Sequence, residues 1–94
     1  MILRARKRDL DALVDLENRS FSTDRLSRRN LKYLLTKANA TTLVDRENGA
    51  VRGYALVLYN AGTSLARLYS LVVGSEHRGL GLGGALLGAA ETFD

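Results

Sequence analysis

A glycine-dense segment near the end of the chain has residue types and spacing that suggest a chemical task. Residues 77–84 read His-Arg-Gly-Leu-Gly-Leu-Gly-Gly, and an apolar pattern with helical spacing begins at Gly81. The first turn of a helix has N–H groups without carbonyl partners and the positive end of the helix dipole, so backbone donors alone can hold an anion there. Glycines let a phosphate approach those donors closely. We therefore predict a phosphate-binding turn with Arg78 at its rim.

Two amphipathic helices are predicted in the first half of the chain, after a short strand at residues 2–6. Asp9 stands where the N-cap of the first helix is expected. The apolar stripe of the first helix consists of Leu10, Leu13, Val14 and Phe21. The second helix repeats apolar residues at i, i+3, i+4 and i+7, and these are Leu31, Leu34, Leu35 and Ala38. Its other side carries Arg28, Arg29 and Lys32, with Arg25 and Lys37 at the ends.

Three antiparallel strands and a last helix are predicted in the second half. The strands are residues 41–45, 51–59 and 64–73, with an Asn-Gly pair at positions 48 and 49 that strongly favours a hairpin, and a turn at residues 60–63. The apolar face of the last helix consists of Leu82, Ala85, Leu86, Ala89, Ala90 and Phe93. The expected fold class is therefore α+β, one domain of order β-α-α-β-β-β-α in which helices flank an antiparallel meander.

Composition excludes several classes of protein. The chain has 94 residues, 46% of them apolar and 26% charged, as is typical of a soluble globular domain. Without cysteine and with one histidine, it offers neither disulfides nor the ligands of a zinc site. Charged residues at positions 4–8 interrupt any signal peptide, and no window reaches the roughly 20 apolar residues of a membrane span. We expect a cytoplasmic protein without metal or membrane anchor.

The glycine segment fits two known patterns of phosphate-binding turn. Gly79-x-Gly81-x-x-Gly84 fits the dinucleotide fingerprint G-x-G-x-x-G, which opens a parallel βαβ unit. The strands predicted here are joined by a tight hairpin and are therefore antiparallel. Arg78-x-x-Gly81-x-Gly83 is similar to the R/Q-x-x-G-x-G/A pattern of the GNAT superfamily of N-acetyltransferases. The context favours the second pattern.

The resemblance to the GNAT superfamily extends over the whole chain. Residues 66–73 resemble the family's central strand, and residues 74–87 resemble its pyrophosphate loop and following helix. Within the superfamily, this region resembles the group of ribosomal-protein-alanine N-acetyltransferases. Gly74-Ser75 departs from the Asp-Pro that often follows the strand. The family's fold continues with another strand, another helix and a closing hairpin, so we expect residues 1–94 to form a single GNAT-like domain without them.

The resemblance implies that acetyl-coenzyme A is the co-substrate. In the family the pantetheine arm hydrogen-bonds to the end of the central strand, and the loop and helix start take the pyrophosphate. The cofactor-binding residues implied in this way are Leu71, Val72, Val73, Arg78, Gly79, Leu80, Gly81, Leu82, Gly83 and Gly84.

No catalytic residue can be assigned from the sequence. Acetyl transfer needs a base for the amine and an acid for the departing thiolate. In the family the acid is usually a tyrosine on a helix after the next strand, and the base is a glutamate near the central strands or a water. We interpret Tyr54, Tyr59 and Tyr69 as packed aromatics, and Glu17 and Glu91 as solvated. His77 is interpreted as a loop residue at the coenzyme rim.

The leading hypothesis is an N-acetyltransferase that moves acetyl from acetyl-CoA to a primary amine of a protein or small molecule. The alternatives are a non-catalytic coenzyme-binding or regulatory module and a small basic nucleic-acid binder. The net charge of +4 leaves these open. The third meander strand, from Ser64 to Val73, is expected at a sheet edge, and edges recruit partners. A homodimer through this strand is a further expectation.

Overall fold

The computed structural model describes residues 1–23, 25–36, 39–59 and 66–92. The strands are β1 (Ile2–Arg4), β2 (Ala40–Glu47), β3 (Ala50–Tyr59) and β4 (Ala66–Val73). The helices are α1 (Leu10–Ser20), α2 (Arg28–Thr36) and α3 (Leu82–Thr92), with 3-10 turns at Lys7–Asp9 and Ser75–His77. The predicted α+β class and the order β-α-α-β-β-β-α are confirmed.

The four strands form one antiparallel sheet in the order β1-β2-β3-β4. The predicted hairpin joins β2 to β3, with Glu47 opposite Ala50. Asn48 and Gly49 both have positive φ, 52° and 80°. This is the backbone that a two-residue type I′ turn requires, and it matches the twist of the flanking strands. The tight turn therefore sets the register of the central pair.

Apolar side chains lie on both faces of the sheet because successive residues of a strand point to opposite sides. The core between the sheet and the helices α1 and α2 consists of Leu10, Leu13, Leu16, Leu31, Val44, Tyr54, Leu56 and Val72. The core between the sheet and α3 consists of Leu43, Ala55, Val57, Leu86 and Ala90. Neighbouring residues of β2 and β3 thus serve different layers. The helices are held on opposite sides of one thin sheet.

A β-bulge interrupts β4 at Tyr69. Leu56 pairs with Ser70, and the next residue of β3, Val57, pairs with Leu68. Tyr69 is therefore the extra residue, without a partner on β3, and a bulge of this kind redirects a side chain. Tyr69 remains 45% exposed. The interpretation of Tyr69 as a packed aromatic is wrong, whereas Tyr54 is fully buried.

Asp9 precedes α1 as predicted but does not cap that helix with its side chain. Its Oδ2 accepts the backbone N–H of Arg6 at 2.8 Å, and its Oδ1 forms an ion pair with Arg46 of β2. Burial pushes the pKa of Asp9 upward, but these donors outweigh burial and hold the pKa below its ordinary value. Asp9 thus fastens the start of α1 to the sheet.

Asp45 makes a second buried ion pair on β2. Its Oδ2 lies 2.6 Å from Nε of Arg52 on β3, and its Oδ1 lies 3.2 Å from the amino terminus of Met1. Burial again raises the pKa, and the Arg52 and amino-terminal donors lower it further than burial raises it. The carboxylate therefore ties β1, β2 and β3 together at one end of the sheet.

Glu17 on α1 is buried, with 2% exposure, so its interpretation as a solvated residue is wrong. The hydroxyl of Tyr54 on β3 donates to its Oε1, and the backbone N–H of Leu26 donates to its Oε2 at 2.7 Å. Burial, together with the hydrogen bond to Glu17, raises the pKa of Tyr54. The buried carboxylate links α1, the segment before α2 and the sheet.

Other predicted boundaries shift by a few residues. Phe21 was assigned to the apolar stripe of α1, but it follows the helix end in an extended conformation and is exposed. Ala85 on α3 is also exposed, while Glu91 is exposed as expected. Lys37, Ala38, the turn at residues 60–63, Ser64 and Phe93 lie outside the described residues. Within the described part of the chain, no helix is long and apolar enough to cross a membrane.

Asp9 and Asp45, the two buried carboxylates with lowered pKa values, predict a loss of stability in acid. A group whose pKa is lower in the folded state stabilises the fold above its unfolded pKa, and that contribution disappears as the pH falls through the folded pKa. We expect the free energy of unfolding in urea to fall between about pH 5 and about pH 2. Asp45→Asn should lose about 1–3 kcal/mol near neutral pH and show a shallower decline in acid. Parallel pH profiles for both chains would contradict this role of Asp45.

The buried hydrogen bond to Glu17 predicts a cost for removing one hydroxyl. Tyr54→Phe leaves the carboxylate with one donor fewer, and we expect a loss of about 1–3 kcal/mol in the free energy of unfolding. Tyr59→Phe is the matched control, since the buried hydroxyl of Tyr59 has no hydrogen-bond partner within the described ranges. It should change stability little. Equal losses in both variants, measured by urea unfolding, would contradict the special role of Tyr54.

Candidate functional site

A groove of about 560 Å³ lies where β4 ends and α3 begins. Eight of the ten residues predicted to bind the coenzyme line it, namely Leu71, Val72, Val73, Arg78, Gly79, Gly81, Leu82 and Gly83. Leu80 and Gly84 are not among its lining residues, and Leu80 is 62% exposed. The structure therefore brings most of the predicted set to one concave surface.

The loop into α3 depends on two glycines with left-handed backbone. Gly79 has φ 89° and Gly81 has φ 77°, a region in which L side chains are strained. A Cβ added at either position would meet no atom within 4 Å. Backbone conformation rather than crowding inside the chain therefore requires glycine here, and the space beside both residues is open.

The first turn of α3 lines this groove and has backbone donors to offer. The N–H of Ala85 donates to the carbonyl oxygen of Gly81 at 3.1 Å and closes the first helical turn. The N–H groups of the residues before Ala85 have no carbonyl partner inside the helix. No acidic side chain occurs in the first turn, which reads Leu-Gly-Gly-Ala. The positive end of the helix dipole is therefore available to an anion.

Arg78 and His77 stand at the rim of the groove. Arg78 is exposed, and its Nε donates to the carbonyl oxygen of Val73 at 3.4 Å. His77 is half-buried, with Nε2 3.5 Å from Oε1 of Glu76. The position of His77 agrees with its interpretation as a loop residue at the rim. Both side chains lie beside the open backbone of the glycine loop.

The opposite wall of the groove comes from the end of α1. Ser20 and Phe21 line it, and the sequence alone did not single them out. The backbone N–H of Phe21 donates to the carbonyl oxygen of Glu17 at 3.1 Å, which fixes the residue just past the helix. Ser22 and Thr23, the polar residues that follow, were a signal that the helix ends there. From that signal, Phe21 could have been assigned to the surface beyond the helix end rather than to the core.

An ion pair joins this wall to the glycine loop. Nη1 of Arg19 lies 3.4 Å from Oε1 of Glu76, and Nε of Arg19 lies 3.0 Å from Asp15. The backbone N–H of Glu76, and then the charge of Arg19, hold the pKa of Glu76 below its usual value. Both partners are half exposed, so the pair adds little stability. Its consequence is geometric, because it spans from α1 to the loop.

A smaller cavity of about 210 Å³ lies next to the groove along β4. Glu17, Phe21, Leu26, Tyr69 and Ser70 line it, so Phe21 belongs to both cavities. Both carboxylate oxygens of Glu17 accept hydrogen bonds from the fold, as described above. Each carboxylate oxygen retains a further lone pair. The cavity thus presents a buried carboxylate beside the bulge of β4.

Metal chemistry has no ligand set in the described part of the chain. Across residues 1–23, 25–36, 39–59 and 66–92, no three His, Asp or Glu side chains are grouped so that they could hold a metal ion. The site offers backbone donors, one arginine at the rim and an apolar floor. These are features of a pocket that binds an extended anionic molecule.

Comparisons with solved structures show the same architecture in larger proteins. The GphF GNAT-like decarboxylase in complex with isobutyryl-CoA aligns at 25% identity and a TM-score of 0.84, over 96% of this chain and 56% of that chain. The ribosomal-protein-S18-alanine N-acetyltransferase from Escherichia coli aligns at 22% identity and a TM-score of 0.80, over 94% of this chain and 54% of that chain. This chain therefore spans about half the length of these two proteins.

A third structure gives a similar result. The aminoglycoside 6'-N-acetyltransferase from Acinetobacter haemolyticus aligns at 22% identity and a TM-score of 0.75, over 97% of this chain and 68% of that chain. No curated protein matches the sequence. The sequence pattern of the acetyltransferase (GNAT) family matches residues 10–93, which is most of the chain. The chain therefore belongs to the acetyltransferase (GNAT) family.

Proposed function

We propose that the chain binds acetyl-coenzyme A in the groove between β4 and α3 and serves N-acetylation of a primary amine. The observation that carries this proposal is the glycine loop, where two left-handed residues open a helix whose first turn lines a groove. The family uses acyl-CoA, and a homologue was solved with isobutyryl-CoA. Both facts support the coenzyme as the ligand.

The pyrophosphate fits the glycine loop and the start of α3. Gly79, Gly81 and Gly83 line the groove without side chains that would separate an anion from the backbone. Arg78 supplies a positive charge at the rim, where a phosphate oxygen can accept hydrogen bonds from its guanidinium group. Leu80 and Gly84 remain part of the proposed segment, with backbone roles only. An anion held in this way gains from the helix dipole as well.

The pantetheine arm fits the end of β4. Leu71, Val72 and Val73 line the groove, and the described part of the sheet pairs β4 with β3 on one side only. The other edge of β4 therefore offers backbone donors and acceptors to an extended ligand. Amide groups of the arm can use this edge as an added strand does. The apolar side chains beside it exclude water from the thioester end.

Binding and transfer are separate parts of the proposal. Tyr54 is buried beneath the site, and its hydroxyl donates to Glu17, so it serves the fold rather than the departing thiolate. The GphF protein is named as a decarboxylase, so the family fold is found with a coenzyme thioester outside acetyl transfer too. Because no described residue is assigned as the acid for the thiolate, a non-catalytic coenzyme-binding or regulatory module is the second candidate. Release of free thiol in the presence of an amine distinguishes the two.

A nucleic-acid ligand receives less support. Arg28 on α2 forms an ion pair with Asp11, and Nη1 of Arg25 lies 3.4 Å from Oδ1 of Asn18. Two of the basic residues that suggested such a binder are thus engaged inside the chain. Lys37 lies outside the described residues. A cytoplasmic location stays a prediction of the sequence.

We also propose that β4 can pair with a second copy of this chain. Leu68 and Tyr69 are exposed near the start of β4, beside a strand edge that no described strand covers. Open edges with apolar side chains favour strand pairing between chains. The same edge is proposed to take pantetheine near Val73. Coenzyme and self-association should therefore compete.

The glycine loop predicts how one substitution affects coenzyme binding. Gly81→Glu places a negative charge beside the proposed pyrophosphate and forces a strained φ, so we expect calorimetry to show acetyl-CoA affinity at least about tenfold weaker. Gly88→Glu is the matched control, because Gly88 lies on α3, is exposed and does not line the groove. It should bind like the parent chain. Equal affinity of the parent and Gly81→Glu, or no binding by either, would contradict the proposal.

The open edge of β4 predicts a dimer that the coenzyme weakens. Light scattering at high concentration should show a dimer, and Leu68→Lys should shift it to monomer because a charge blocks an edge. Leu87→Lys, on the exposed side of α3, is the control and should remain dimeric. A monomer at all concentrations, with slow amide exchange along β4, would refute self-association.

A further inference from the structure

A third cavity, of about 350 Å³, opens between α2 and the strands β3 and β4. Tyr33 and Leu34 of α2, Leu58 of β3 and Tyr69 of β4 form much of its wall. Arg29 and Asn30 add polar groups from the first turns of α2. We call this the tyrosine cavity. Its wall is apolar over most of its surface, with a cation at one side.

The tyrosine cavity and the coenzyme groove lie on either side of the smaller cavity, which shares wall residues with both. Leu26 and Tyr69 line both the tyrosine cavity and the smaller cavity, and Phe21 lines both the smaller cavity and the groove. The three cavities therefore follow β4 in a row, from Val73 past Ser70 to Tyr69. A molecule in the tyrosine cavity can extend toward the thioester end of a bound coenzyme.

Two tyrosines in this cavity are unusually exposed for large apolar rings. Tyr33 is 58% exposed and Tyr69 is 45% exposed. The β-bulge makes Tyr69 the unpaired residue and lets it share a wall with Tyr33 and Leu58. Binding sites are typically lined by aromatic side chains with a few polar groups. Flat rings at the wall favour a ligand with an aromatic group, through stacked or edge-to-face contacts.

The positive charge at this cavity favours a ligand that carries a negatively charged group. Arg29 has no ion-pair or hydrogen-bond partner among the residues that the structure describes, unlike its neighbour Arg28, which pairs with Asp11. No carboxylate lines the described wall of the tyrosine cavity. An arginine in such a position binds carboxylates with paired hydrogen bonds. Glu17, in the smaller cavity, offers negative charge where a ligand's amino group would lie.

We propose that the tyrosine cavity binds the acceptor, a primary amine that carries an aromatic group and a carboxylate. The inference rests on the proposed function, because it gives the acceptor of that reaction its chemical class. The amine nitrogen forms a bond to the acetyl carbonyl carbon, and the carbon–sulfur bond breaks. The nitrogen loses one proton, and the coenzyme leaves as the thiol. Amine and thioester then meet in the smaller cavity between the two sites.

The test is an NMR titration of the whole chain with small amines, without coenzyme. Phenylalanine has the ring, the amine and the carboxylate, whereas phenylalaninamide lacks the carboxylate and alanine lacks the ring. We expect phenylalanine to shift the amide signals of Tyr33 and Tyr69, with phenylalaninamide about tenfold weaker and alanine weaker still. A tripeptide Phe-Glu-Glu with an amidated end distinguishes a peptide source from a free amino acid. Binding by either supports the proposal.

Variants locate the binding. Arg29→Gln should remove the preference for phenylalanine over its amide, and Tyr33→Ala should weaken both several-fold. Lys32→Gln is the matched control, since Lys32 is an exposed cation on the same helix and does not line the cavity. It should leave every affinity unchanged. Binding that is unaffected by Arg29→Gln and Tyr33→Ala, or affected equally by Lys32→Gln, would overturn the proposal, as would no binding of any aromatic probe.

The outcome for this cavity is separable from the outcome for the coenzyme. Phenylalanine binding that follows Arg29 and Tyr33, in a chain that does not bind acetyl-CoA, would remove the proposed function but leave an aromatic amino-acid site. Coenzyme binding that depends on Gly81, in a chain that ignores every aromatic amine, would keep the groove and remove the acceptor class. Each result decides one of the two statements.

Discussion

The buried carboxylate of Glu17 is the interaction on which the arrangement of the site depends. A buried charge is costly unless donors satisfy it, and here the donors come from Tyr54 on β3 and the backbone of Leu26. These two hydrogen bonds hold α1, the segment before α2 and the sheet together around that charge. The same arrangement places Phe21 beside the glycine loop and Leu26 beside Tyr69. One hydrogen-bonded group thereby aligns three cavities.

The groove and the tyrosine cavity each lie at a local departure from regular backbone. The left-handed glycines at 79 and 81 turn the chain so that α3 starts at the groove. The bulge at Tyr69 redirects one side chain of β4, and that side chain lines the tyrosine cavity. Regular strands and helices position these features but cannot form them. The candidate binding features of the chain therefore lie where the regular backbone conformation is interrupted.

The sequence predicted the fold well because its periodicities and its Asn-Gly turn are local signals. It predicted the glycine loop for the same reason, since left-handed backbone needs glycine at positions 79 and 81. It missed Glu17, because a carboxylate on an amphipathic helix is usually solvated and its partners Tyr54 and Leu26 are remote or backbone groups. It missed the exposure of Tyr69, because a bulge depends on the register between two strands. Properties that depend on contacts between residues far apart in the sequence leave little local signal in a single sequence.

In the proposed sites, the backbone binds the coenzyme and side chains bind the acceptor. This difference is consistent with the low sequence identity of the similar structures and the different substrates in their names. An anion held by N–H groups needs a backbone shape and two glycines, so the groove proposed for the coenzyme tolerates extensive change elsewhere. The similar structures share only 22–25% identity with this chain, and their names cite an aminoglycoside, a ribosomal-protein alanine and a decarboxylation. The acceptor recognition that we propose depends instead on side chains, namely Arg29, Tyr33 and Tyr69. Affinity for the coenzyme and choice of acceptor can therefore change independently in such a fold.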